Sequence, residues 1–364
     1  MNTHFNPSRL KLARTRRQLT LKSLAESVGL TPRMVSEYEK ERCTSQPKDA
    51  TIDAFSKALN YPAEFFFSDD VDEVENNAIS FRSLKSMKAS QQHAAVGAGA
   101  IGVMLNSYFS DRFNPVDINI PNLTGSDPEL AASIIRTEWN LGSQSVGDMI
   151  NLLEKHGVRV FSLDENTLSV DAFSFWKDGT PYVFLNTKKS GERSRFDAAH
   201  ELGHLILHRD EIPQGKEIER EADRFAAFLL MPRDTVLPYS GKFLTIDNIL
   251  KLKKNWKVSA MALIFHMKNL GVITEWQYRT LIIDASKLGL RTNEIDGIPR
   301  ETSKLIKQLL AALQARGVSV RTISNELNLP IDEVTGLLFM LGVVSNPKKA
   351  KEHVLRTKPS LTLV

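Results

Sequence analysis

Residues 195–208 read RFDAAHELGHLILH, and the rest of the chain is best understood outward from them. Phe196, Ala199, Leu202, Leu205 and Ile206 recur at helical spacing, so the segment is a helix with a buried face. His200 and His204 stand four apart on it. That spacing puts both imidazoles on one side, in reach of a single ion at about 2.0–2.1 Å. Glu201 follows His200 directly, and from there its carboxylate can act on an attacking water without ligating the metal. Gly203 leaves room beside the metal. One histidine on an apolar helix is usually a satisfied core residue. Two histidines with a glutamate between them make a metal site the better reading. His208, one turn further on, reads as a polar residue closing the helix.

A catalytic zinc needs a third protein ligand and an open position. Residues 217–232, EIEREADRFAAFLLMP, form a second helix that can supply it. Glu219 and Asp223 are four apart and share a face. Glu219 is therefore expected to complete the Zn2+ site, with Asp223 accepting a hydrogen bond from the non-ligating nitrogen of His200. Glu217 and Glu221 compete with Glu219 for the ligand role, and Glu221 lies on a different face from it. Ala222, Phe225, Ala226, Leu229 and Leu230 pack this helix on the first.

The pairing of Ala199–His204 with the run Phe225–Pro232 resembles the ImmA/IrrE family of metallopeptidases, over about residues 158–232 and back toward residue 130. The family typically carries Asn where this chain has Asp223. The resemblance implies a zinc-dependent endopeptidase with Glu201 as its catalytic base. It also implies a protein substrate, a repressor or antitoxin, in a stress or mobile-element response.

Around this core the fold is expected to be mainly α with a small β-sheet. The runs VRVFS (158–162), DAFSFW (171–176) and YVFLN (182–186) read as strands, and Asp178-Gly179 as a hairpin turn. Helices are expected over 83–113, from Asp127 to about Trp139, from before Asn151 to His156, and over 192–208 and 217–230. Small residues in AAVGAGAIG, within the first of these, allow close helix approach. Beyond residue 244 the chain reads as helical, in TIDNILKLKKNW, SAMALIFHMKNLG, TSKLIKQLLAALQARG and SVRTISNELN. Residues 318–342 have a helix-turn-helix rhythm without a basic face, which suggests packing or a dimer surface.

The first fifty residues are crowded with Arg9, Lys11, Arg14, Arg16, Arg17, Lys22, Arg33, Lys40 and Arg42, and residues 69–77, DDVDEVENN, are acidic. Thr20 can cap the helix LKSLAESVG, which Gly29 closes, and Thr31 can cap PRMVSEYEKER with Pro32 at its first position. A fourth helix is expected to open at Thr51 or Asp53 and to end near Asn60. This pattern is similar to the Xre/Cro-type helix-turn-helix family, apart from Leu21, where a polar residue is usual. The resemblance implies double-stranded operator DNA as partner. The residues expected to face it are Thr31, Pro32, Arg33, Ser36 and Glu37, with Lys22, Arg14, Arg17, Lys40 and Arg42 on phosphates. A two-fold operator would call for a homodimer.

The expected division is a helix-turn-helix domain at 7–67, a connector at 68–125, a zinc peptidase domain at 126–240 and a helical region at 241–364 for dimerisation or partner binding. At 364 residues, 42% hydrophobic and 25% charged, the chain can build two or three cores unaided. Its single cysteine, Cys43, excludes an intramolecular disulfide and a cysteine zinc cluster and suits a reducing cytoplasm. Ala94–Leu105, the most apolar stretch, is too short to span a bilayer, so no membrane is expected as partner. Two readings of function stand: a DNA-binding regulator that is also a peptidase, or a transcription factor or antitoxin whose zinc domain senses metal or binds a partner.

Overall fold

A computed structural model describes residues 4–40, 46–71, 80–81, 88–163, 171–209 and 215–341. Arg42, Cys43, most of the acidic run 69–77 and the Lys-rich segment after Asn346 lie outside them.

Residues 7–67 fold into four helices, α1 (Pro7–Arg16), α2 (Leu21–Ser27), α3 (Pro32–Tyr38) and α4 (Asp49–Leu59), followed by a 3-10 turn at Ala63–Phe67. Thr20 and Thr31 cap α2 and α3, accepting from the Ser23 and Met34 amides. α4 begins at Asp49, ahead of both expected openings. The reason is that Asp49 already suits the helix dipole, and the buried stripe Ile52, Phe55 and Leu59 takes Thr51 and Asp53 into the helix body. Leu10, Ala13, Leu24, Ala25 and Val35 close the core of the bundle.

A short strand β1 (Ser80–Phe81) precedes α5 (Ala89–Ser110), and α6 (Pro128–Glu138) and α7 (Met149–Lys155) follow. The expected strands appear as β2 (Arg159–Leu163), β3 (Ala172–Lys177) and β4 (Thr180–Asn186). In the sheet order β1-β3-β4-β2, β2 runs parallel to β4 and the other two pairs are antiparallel. Asp178 and Gly179 take φ of 49° and 73°, as a tight hairpin turn requires. One face of the sheet is aromatic, with Phe173 stacked on Phe184 at 4.6 Å, and α5 packs there through its small residues. The other face carries α8 (Gly191–Leu207), with α9 (Lys216–Leu230) alongside and α6 against α9.

The short α10 (Arg233–Val236) leads to α11 (Ile246–Trp256), α12 (Ala260–Asn269) and α13 (Glu275–Lys287). α13 has no clear apolar stripe in the sequence, because Leu281 and Ala285 are its buried residues while Trp276 and Ile283 are exposed. His266 of α12 bonds the Met231 carbonyl, tying these helices to the end of α9.

The chain ends its described course in α14 (Lys304–Gln314), α15 (Val320–Glu326) and α16 (Ile331–Leu337). Glu154 of α7 accepts the first amides of α14, and Glu301 accepts the first amides of α7, so each helix start is capped by a carboxylate beside the other. The pair α15–α16 packs rather than facing solvent. Ser162 of β2 donates to the Gly336 carbonyl and accepts from the Phe339 amide, while Arg16 of α1 reaches Glu333 of α16. No described helix is long and apolar enough to cross a membrane.

Candidate metal centre and nucleic-acid interface

α8 is anchored before it reaches the two histidines. Ser190 caps it, Arg195 is fully buried against Glu301 and the Val146 carbonyl, and Asp197 pairs with Lys189. His200 and His204 then project toward α9 with their Nε2 atoms 3.0 Å apart. Glu219 meets them, one oxygen 3.4 Å from His200 Nε2 and the other 3.5 Å from His204 Nε2. Asp223, one turn on, lies with Oδ1 2.9 Å from His200 Nδ1.

Of the three competing acids, Glu219 is the one brought to the histidines. Glu221 points elsewhere, with its Oε2 2.9 Å from His208 Nε2, and Glu217 pairs with Arg220 on the surface. His208 is not a solvated helix end. It is buried, and its Nδ1 lies 3.1 Å from His204 Nδ1.

Gly203 has a different use from the one expected. A side chain there would meet the Ala222 backbone at 3.2 Å and the Phe225 ring at 3.1 Å, so this glycine lets α9 approach α8 closely rather than making room beside an ion.

Glu201 is fully buried and its Oε2 accepts a hydrogen bond of 2.6 Å from Ser174 of β3. Ser174 escaped the sequence reading. Its inward position follows from the period of β3, but its place under Glu201 depends on how α8 crosses the sheet.

The donor set suits a divalent cation. His200 Nδ1 faces Asp223 and His204 Nδ1 faces His208, so both Nε2 atoms turn to the Glu219 carboxylate. Burial lowers the His204 pKa to about 4, which keeps that ring neutral. Burial alone would raise the Glu219 carboxyl, but the two histidines that face it bring it down to about 2. Two imidazoles and one carboxylate form a donor set that a divalent metal cation can take. The histidines are enclosed, whereas the side chains of Glu219 and Asp223 are 25% and 46% exposed, so the cluster is reached from the α9 side.

The helix-turn-helix surface is open. Lys22, Thr31, Pro32, Arg33, Glu37 and Lys40 are exposed and Ser36 is half-buried. Lys40 pairs with Glu37 at 2.6 Å, a solvated ion pair of small worth. Two of the arginines expected on phosphates have carboxylate partners instead of facing solvent freely. Arg14 is held by both oxygens of Glu39, and Arg17 lies over the Tyr61 ring and pairs with Asp332 and Glu333. Both are turned inward because a carboxylate on a neighbouring element holds them.

Residues 153–268 match a peptidase-family model described as the IrrE N-terminal-like domain, and residues 10–66 match a helix-turn-helix model. The chain joins a helix-turn-helix domain to an IrrE N-terminal-like domain. No curated protein matches the sequence. The cluster of His200, His204 and Glu219 falls inside the IrrE N-terminal-like domain, as do Glu201, Ser174, His208 and Asp223. α2 and α3 fall inside the helix-turn-helix match.

Proposed function

We propose that the protein is a DNA-binding regulator that also cleaves another protein as a zinc-dependent endopeptidase. The observation that carries this reading is the convergence of His200, His204 and Glu219 within 3.0–3.5 Å, with the buried Glu201 next to His200 on the same helix. His200, His204 and Glu219 would hold Zn2+, with Asp223 orienting His200. Zinc, when bound, lowers the pKa of water toward neutrality and polarises a carbonyl.

Glu201 takes a proton from the attacking water and returns it to the leaving amine. Ser174 donates a 2.6 Å hydrogen bond to that carboxylate and so helps fix its orientation. A purely structural metal site has no use for such a base. The substrate we infer is a repressor or antitoxin in a stress or mobile-element response, and the compartment the cytoplasm, where operator DNA lies. The exposed face of α3, with Arg33 toward base edges and Lys22 and Lys40 toward phosphates, supports operator binding as a homodimer.

The test compares intracellular proteins in cells making the wild type or Glu201→Gln. A protein that disappears with wild type and persists with Glu201→Gln is the expected result. Cleavage that continues with Glu201→Gln overturns the mechanism. A second reading, a regulator whose zinc domain reports metal to the DNA-binding domain, draws on the docking of α1 against α16 and of α16 against β2. It predicts that neither form cleaves and that operator affinity follows zinc.

A further inference from the structure

His208 closes α8 one turn beyond His204, buried, with each ring nitrogen engaged. Its Nδ1 lies 3.1 Å from His204 Nδ1 and its Nε2 lies 2.9 Å from Glu221 Oε2. These two distances constrain where the protons sit. A neutral imidazole carries one N–H. For His204 to turn a lone pair on Nε2 toward Glu219 and His200, its proton must be on Nδ1. That proton then points at His208 Nδ1, which must accept it. His208 therefore carries its own proton on Nε2, where the Glu221 carboxylate accepts it.

The opposite arrangement puts the proton of His208 on Nδ1 and that of His204 on Nε2. It would set the bare Nε2 of His208 against a carboxylate oxygen at 2.9 Å, lone pair to lone pair. It would also close His204 to a cation. With a cation between the bare Nε2 atoms of His200 and His204, which lie 3.0 Å apart, the Glu221 carboxylate would favour this tautomer two rings away.

We propose that His208 and Glu221 are a positioning pair for His204, a relay that holds its Nε2 lone pair toward the Glu219 carboxylate and so prepares it for a divalent cation. The proposal rests on the metal reading above. It supplies for His204 what Asp223 supplies directly for His200. Glu221 stands two residues from both Glu219 and Asp223 on α9, on another face of the helix, and the ring of His208 spans the distance to His204.

The test is zinc affinity of the full chain, measured by competition with a chromophoric chelator, with thermal unfolding of each zinc-free form alongside. His208→Phe keeps a ring in the buried site but cannot accept or pass on a hydrogen bond. Zinc affinity is expected to fall about 10–100-fold in His208→Phe and about tenfold in Glu221→Ala, the range for partners of metal ligands. Glu221→Gln keeps an accepting oxygen and is expected to stay within about threefold of wild type. A merely packing role for His208 would leave zinc affinity unchanged in His208→Phe, and full affinity in both His208→Phe and Glu221→Ala overturns the relay while the metal centre stands. Failure of wild type to bind zinc overturns the metal reading instead. If His208→Phe does not fold, the half-exposed Glu221 variants decide.

Discussion

Arg16 on α1 and Glu333 on α16 form a buried ion pair at 2.5 Å, with side-chain exposures of 8% and 2%. The two residues are separated by 317 positions and join the helix-turn-helix domain to the last described helix. Tyr61 donates its hydroxyl to the same carboxylate, Arg17 adds a second charge, and Arg16 also reaches the Ala94 carbonyl of α5. The DNA-binding domain is thereby docked on the body of the protein through α1, leaving α2 and α3 outward.

Removing one partner of such a pair strands the other charge away from water. Glu333→Ala is expected to cost about 3–5 kcal/mol in urea unfolding, more than typical surface substitutions. The pair also sets a pH dependence. Burial by itself would raise the Glu333 carboxyl, but Arg16, Arg17 and the Tyr61 hydroxyl hold it below its ordinary value of 4.5. A carboxyl lowered in the folded state contributes fully above that ordinary value and loses its contribution as pH falls below it. The urea midpoint should therefore drop below about pH 4.5, and Glu333→Gln should show a shallower acid slope.

The metal reading makes α9 decisive. Glu219→Ala is expected to lower zinc affinity by more than the roughly 100-fold upper range for an orienting partner. Glu217→Ala, altering a residue paired on the surface with Arg220, should leave affinity unchanged. Metal content by mass spectrometry, after dialysis against a weak chelator, separates the two.

Gly203→Ala places a methyl 3.2 Å from the Ala222 backbone, where neither helix can yield without parting α8 from α9. Overpacking of this kind costs about 1–3 kcal/mol, measurable by urea unfolding of the zinc-free protein. Zinc affinity should fall with it, since Glu219 rides on α9.

On DNA, the exposed and the inward-turned arginines should part company. Arg33→Ala is expected to weaken operator binding by about tenfold or more and to relax specificity at one base pair. Lys40→Ala should weaken all sequences alike and reduce the salt slope by about one. Arg14→Ala should leave the slope unchanged, because Glu39 already holds that guanidinium, and a slope reduced by one would show that the pair opens on DNA. Fluorescence anisotropy across a salt series reads all three.

Much of this was legible in the sequence because it is local. A helix period of 3.6 residues places His200 beside His204 whatever packs around them, Thr20 and Thr31 cap their own helices, and Asp178-Gly179 makes its turn from its own backbone preferences. The tertiary structure decided what local geometry leaves open. The rotation of α9 about its axis brought Glu219 rather than Glu221 to the histidines, and the crossing of α8 over β3 put Ser174 under Glu201. Likewise, Arg14 and Arg17 look like phosphate contacts until Glu39, Asp332 and Glu333 are set beside them. Those partners come from elements distant in the chain, and long-range pairing follows from how whole surfaces pack, which no local spacing encodes.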